Sequence, residues 1–169
     1  MVTHSSFQKP TDKTVKVSEH LLSAIQSGAT LKDVHDIPES TMQAVYRYAY
    51  EFYQQGRLKD AESLFRFLCV YDFYNPEYVM GLAAVYQIKK NYEKAVDFYA
   101  LAYSLGENDY RPMFYAGQCN LLLKKATLAR HCFNIVVEKC DDSSLVERSQ
   151  NYLAALTELT ASKKAPVKK

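Results

Sequence analysis

The chain has 169 residues, 48% of them apolar and 24% charged, and a formal net charge of +2 at pH 7. That composition is globular rather than disordered, and its near-neutral charge gives no footing for nucleic acid or an anionic membrane surface as a partner. No run approaches the ~18 apolar residues of a membrane span, so direct membrane insertion is excluded as well.

Residues 1–17, MVTHSSFQKPTDKTVKV, lack the apolar core of a secretory signal and are expected to be disordered. Residues 18–41 read as N-terminal helices. SEHLLSAIQSG forms one that ends at Gly28, and Thr30-x-x-Asp33 opens a short second one that stops before Pro38.

From residue 42 the sequence repeats itself with a period of 34. Ala61, Ala95 and Ala129 share one column, and Phe65, Tyr99 and Phe133 a second. Ala49, Ala83 and Gly117 are always small, and Val45, Val79 and Met113 always apolar. Thirty-four is the period of the tetratricopeptide repeat, a helix–turn–helix unit. Small residues let its two helices approach closely, and the aromatic fills the gap to the next unit.

The repeats run 42–75, 76–109 and 110–143. Asn75-Pro76 supplies a cap and a first-turn proline for the second. Asn108 or Asp109 caps the third. Gly56 and Lys90-Asn91 mark turns inside the first two.

Stacked repeats need capped ends. Residues 144–162 form a capping helix, opened by the box Ser144-x-x-Glu147 and apolar at Leu145, Tyr152, Leu153, Leu156 and Leu159. The basic stretch 163–169 reads as a disordered tail. The expected fold is therefore all-α: three tetratricopeptide repeats in a right-handed superhelical stack, with N-terminal helices and a C-terminal capping helix.

YRYAYEFYQ, residues 46–54, alternates like a half-buried strand, yet the period places it in the first helix of repeat one. On a helix, Val45, Ala49 and Phe52, with Tyr48, face the second helix and the next repeat. Tyr46, Tyr50 and Tyr53 share another stripe at i, i+4, i+7. First helices line the concave side of such a stack. The matching stripes are Met80, Ala84 and Gln87 in repeat two, then Phe114, Gln118 and Leu121 in repeat three.

Tyrosine offers a large apolar face with a polar tip, suited to a surface that is wet when empty and dry when filled. Each ring buries on the order of 150 Å². At ~25 cal/mol per Å², three rings are worth several kcal/mol before ordering costs. The stripe thus reads as a site for an internal, apolar, extended peptide. The alternative is that the N-terminal helices fold back over these tyrosines and make them core. Arg111 is the one cation at an inner column, and no Lys–Asn clamp for a peptide C-terminus is present.

Catalytic chemistry has no footing here. There is no phosphate-binding glycine loop, no H-E-x-x-H and no G-x-S-x-G. Cys69, Cys119, Cys132 and Cys140 form no C-x-x-C pair and read as reduced packing residues. The neighbours His131 and Cys132 cannot share a helix face, so neither a metal nor a cofactor is expected.

Three segments carry a resemblance: GATLKDVHDIP at 28–38, AYEFYQQGRLKDAESLFRFLCVYDFYNPEYVMGLAAVYQIKKNYEKA at 49–95, and NDYRPMFYAGQCNLLLKKATLARHCF at 108–133. Through them the chain resembles the class II chaperones of bacterial type III secretion systems, from about residue 18 to 160. The resemblance implies a cytoplasmic protein that uses no ATP. It would hold two membrane-inserting translocators soluble and apart before secretion, taking their extended N-terminal segments in the concave groove. It also implies groove pockets formed by Tyr46, Tyr50 and Tyr53, continued by Met80, Ala84, Gln87, Phe114 and Gln118. A homodimer through Leu21, Leu22 and Ile25, and in some members action with a transcription activator, are implied too. The other reading of the repeats is a general scaffold joining folded partners.

Overall fold

The computed structural model describes residues 28–164, and in them eight helices and no strand. They are α1 (Leu31–Val34), α2 (Glu39–Gln54), α3 (Leu58–Tyr71), α4 (Pro76–Ile88), α5 (Tyr92–Leu105), α6 (Arg111–Leu122), α7 (Ala126–Lys139) and α8 (Ser143–Lys164). Expectations for residues 1–27 and 165–169 lie outside the described residues, among them the first N-terminal helix and the dimer residues Leu21, Leu22 and Ile25.

Each helix from α2 to α8 packs on its neighbour in the chain, so α2–α3, α4–α5 and α6–α7 are three successive helical hairpins. Contacts between α2 and α4, and between α6 and α8, tie the hairpins into one stack. The 34-residue columns form its spine. Ala61, Ala95 and Ala129 are fully buried, as are Phe65, Tyr99 and Phe133 within 1%. Gly117 lets α6 lie on the Phe133 ring: a methyl group there would stand 2.7 Å from the ring carbons.

Local chemistry sets the ends. Thr30 and Asp33 form a reciprocal box, Asp33 N–H donating to Thr30 Oγ1 and Thr30 N–H to the Asp33 carboxylate at 2.8 Å. Asn75 Oδ1 accepts from Glu77 N–H at 3.1 Å, with Pro76 behind it. The turns within hairpins use one device: Gly56, Lys90 and Lys124, again 34 apart, hold φ of 72°, 59° and 60°. Such left-handed backbone suits glycine and costs a side-chain-bearing residue roughly 1 kcal/mol.

Three local expectations are corrected. Asp142, not Ser144, caps α8: its Oδ1 accepts from Ser144 N–H at 2.9 Å and Leu145 N–H at 3.3 Å. The capping side chain must belong to the last residue before the helix, and a carboxylate there also answers the helix dipole. Neither Asn108 nor Asp109 is the cap residue of α6: that place belongs to Tyr110, whose side chain makes no capping bond, while Asp109 Oδ1 accepts from Arg111 N–H at 3.0 Å from one residue further out and Asn108 takes a left-handed turn. Tyr48 does not pack inward and is 57% exposed. At 100° per residue it lies a full step from Ala49, past the edge of the buried arc.

Candidate functional site

The helices α2, α4 and α6 border an open trough of about 720 Å³. From α2 come Tyr46, Tyr50 and Tyr53, and from α4 Met80, Gly81, Ala84 and Gln87. Across from them, α6 contributes Arg111, Tyr115 and Leu122. Phe65 and Tyr99, buried repeat aromatics, show one edge at the bottom. The hollow lies where the middle helix carries small residues and its neighbours carry large side chains. Arg47, Gly81 and Tyr115 share a 34-residue column, and a methyl group on Gly81 would overlap the Phe65 ring.

The rings brace one another. Tyr46 meets Phe65 edge-on at 6.0 Å and Tyr78 at 5.7 Å. Tyr50 stacks on Tyr53 at 6.1 Å, and Tyr99 on Tyr115 at 5.6 Å. Tyr99 Oη donates to Gln87 Oε1 at 2.7 Å, which fixes the amide at the trough's floor. Burial, then the nearby Glu77 carboxylate, pushes the Tyr46 phenol above its ordinary pKa. Burial raises Tyr53 in the same direction and Tyr99 furthest. All three are therefore neutral near pH 7 and present apolar faces with hydrogen-bonding tips. At one end Arg111 is held by Glu77 and by Asp109 at 2.8 Å.

Six of the nine residues expected on the inner stripe border this trough: Tyr46, Tyr50, Tyr53, Met80, Ala84 and Gln87. Phe114, Gln118 and Leu121 lie outside it. Phe114 is 0% exposed, enclosed by Phe133 and Tyr152 and covered by the Arg148 guanidinium 4.4 Å above its ring. Gln118 donates to Tyr152 Oη at 3.0 Å, and Leu121 packs against the core. For Phe114 and Gln118 the cause is α8, which packs on α7 and α6 and covers them with Tyr152 and Arg148. Gly81, Tyr115, Lys90 and Leu122 escape a reading by stripe alone, although the 34-residue columns of Gly81 and Lys90 could have pointed to them.

Among the described residues no group of three or more His, Cys, Asp or Glu side chains could hold a metal. Burial pushes the Cys69 thiol up to about 11 and Cys119 up to about 12, so neither is a ready nucleophile. Among the described residues no helix is long and apolar enough to cross a membrane.

The tetratricopeptide-repeat family matches residues 43–75 and 76–109. The chaperone protein SicA of Salmonella typhimurium is 57% identical over 141 residues, covering 83% of this chain and 86% of SicA. The Yersinia enterocolitica chaperone SycD, solved with a peptide of the translocator YopD, superposes with a TM-score of 0.70 at 26% identity, over 73% of this chain and 98% of SycD. SycD has also been solved as an alternative dimer, with a TM-score of 0.67 at 25% identity over 76% and 98% of the two chains. PcrH, solved with the chaperone-binding region of PopD, gives 0.68 at 28% identity over 73% of this chain and 96% of PcrH; PcrH is from Pseudomonas aeruginosa. At 57% identity across most of both chains, with the repeats and an open trough in place, the chain belongs to the class II chaperones of type III secretion translocator proteins.

Proposed function

We propose that this chaperone holds the extended N-terminal segments of two membrane-inserting translocators in the trough between α2, α4 and α6, keeping them soluble and apart in the bacterial cytoplasm until secretion. The single observation behind this reading is the open, ring-lined hollow beside Tyr46, Tyr50 and Tyr53. SycD and PcrH, which share the fold, have been solved with translocator segments. A disordered client loses part of its binding energy to ordering, so hold and release need no nucleotide. In this reading Tyr46, Tyr50, Tyr53, Met80, Ala84 and Gln87 contact the client, and Phe114, Gln118 and Leu121 support the far wall from behind.

Purification of the chaperone from its native cytoplasm before secretion is triggered, followed by mass spectrometry, tests the proposal. Two large proteins with membrane-spanning stretches should accompany it. Recovery of folded, water-soluble partners alone would favour a scaffold and end the client-holding reading.

Two further parts of the reading rest on the family resemblance. A homodimer forms through Leu21, Leu22 and Ile25, so Leu22→Asp with Ile25→Asp should halve the mass seen by light scattering; an unchanged mass places the interface elsewhere. Action with a transcription activator after the clients leave is the second part. A reporter assay with and without co-expressed clients checks it, and equal reporter output in both would remove it.

A further inference from the structure

The trough is not electrically uniform. At one end Glu77 and Arg111 neutralise each other, and Asp109 takes the remaining reach of the guanidinium. At the other end Lys90 borders the hollow, next to the exposed apolar side chains of Ile88 and Leu122. No carboxylate lies within ion-pairing distance of Lys90 among the described residues, whereas its neighbour Lys89 is bound to Glu62. Glu77 and Lys90 are thirteen positions apart along α4 and its turn, or ~20 Å at 1.5 Å per residue. An extended chain covers that distance in about six residues.

The backbone places Lys90 at this rim, with its side chain exposed. Lys90 occupies the left-handed turn position, with φ of 59°, where the first hairpin has Gly56. Lys124 fills the same position in the third hairpin but does not border the trough. A lysine beside the last carbonyls of a helix has a structural use wherever it falls. Only Lys90 combines that position with an apolar hollow and an uncommitted charge.

Resting on the client-holding reading, we propose that Lys90 selects client segments carrying an Asp or Glu at the turn end of the trough, about six extended residues from the Glu77–Arg111 end. The apolar pockets supply affinity. Lys90 sets register and direction, because at the opposite end the Arg111 guanidinium is already shared by the Glu77 and Asp109 carboxylates and an added carboxylate meets an excess of negative charge. Charge complementarity at a rim acts in this way on specificity and on-rate more than on raw affinity.

A randomised nonapeptide library displayed on phage, selected in parallel on the wild type and on Lys90→Glu, provides the test. Wild-type selections should be rich in apolar residues and carry Asp or Glu at one preferred position. Lys90→Glu selections should keep the apolar preference and exchange that acid for Lys or Arg. A synthesised acidic peptide should bind Lys90→Gly about tenfold more weakly than wild type, with the loss shrinking as salt rises. Glycine suits the backbone there, so this second variant separates charge from folding. Identical charge preferences in the two selections, or undiminished binding to Lys90→Gly, would overturn the role of Lys90 and leave the groove reading intact. Recovery of no apolar peptides by either protein would sink the groove reading and this inference with it.

Discussion

Tyr46 and Tyr50 stand one helical turn apart, yet their burdens differ. Tyr46 wedges against Phe65 and Tyr78, whereas Tyr50 is 48% exposed and, among the rings of the described residues, touches Tyr53 alone. Truncating them should therefore separate stability from binding. Tyr50→Ala is expected to weaken client peptide at least tenfold while leaving the urea midpoint nearly unchanged, since an exposed ring adds little to folding. Tyr46→Ala should weaken binding and also cost about 2–4 kcal/mol of stability, because it leaves a cavity beside Phe65. Calorimetric titration paired with urea melts would show the difference. Equal loss of stability in both variants would mean that Tyr50 is core after all.

Helix ends and helix contacts obey rules that can be tested in the same quantitative way. Lys124 holds a left-handed turn with φ of 60° where Gly56 shows the residue the geometry favours. Lys124→Gly should raise stability by about 1 kcal/mol, by removing the steric cost of a Cβ at positive φ. Gly117→Ala tests the opposite balance. Helix propensity favours alanine by about 1 kcal/mol, but the new methyl meets the sealed Phe133 ring at 2.7 Å. Overpacking costs about 1–3 kcal/mol, so the net effect should be destabilising in urea melts. A more stable Gly117→Ala would show that α6 can retreat from α7 without loss.

Across the whole stack, buried phenols give folding a characteristic pH limit. Burial raises Tyr46, Tyr53, Tyr78, Tyr86 and Tyr99. The neutral form is favoured in the folded state, while the unfolded chain ionises near the ordinary value of about 10. Stability from these groups is thus complete below pH ~10 and falls as pH rises toward the folded values. Urea midpoints should begin a shallow decline near pH ~8.5–9, where the Cys69 and Cys119 thiols ionise in the unfolded chain but are held protonated in the fold, and fall more steeply above 10, with ionisation at 295 nm tracking that second, phenolic part. Tyr99→Phe should make the decline shallower; an unaltered slope would assign alkaline unfolding to other groups.

The 34-residue columns, the Asn75 cap and the Thr30–Asp33 box were legible along the chain because they are local or periodic: each depends on spacing that the backbone preserves. Tyr46, Tyr50 and Tyr53 were legible as a stripe for the same reason. Which stripes remain open is a different matter. Phe114 and Gln118 sit in columns equivalent to Met80 and Ala84, but α8 packs over them, and nothing in repeat three itself announces that cover. Lys90 borders the trough from the turn after α4, a placement that helical spacing does not give. Sequence alone determined an all-helical repeat and the residues able to face inward, since helical periodicity is written one turn at a time. Tertiary structure alone decided where the trough begins and ends, since that depends on which neighbouring helix reaches each inner face first.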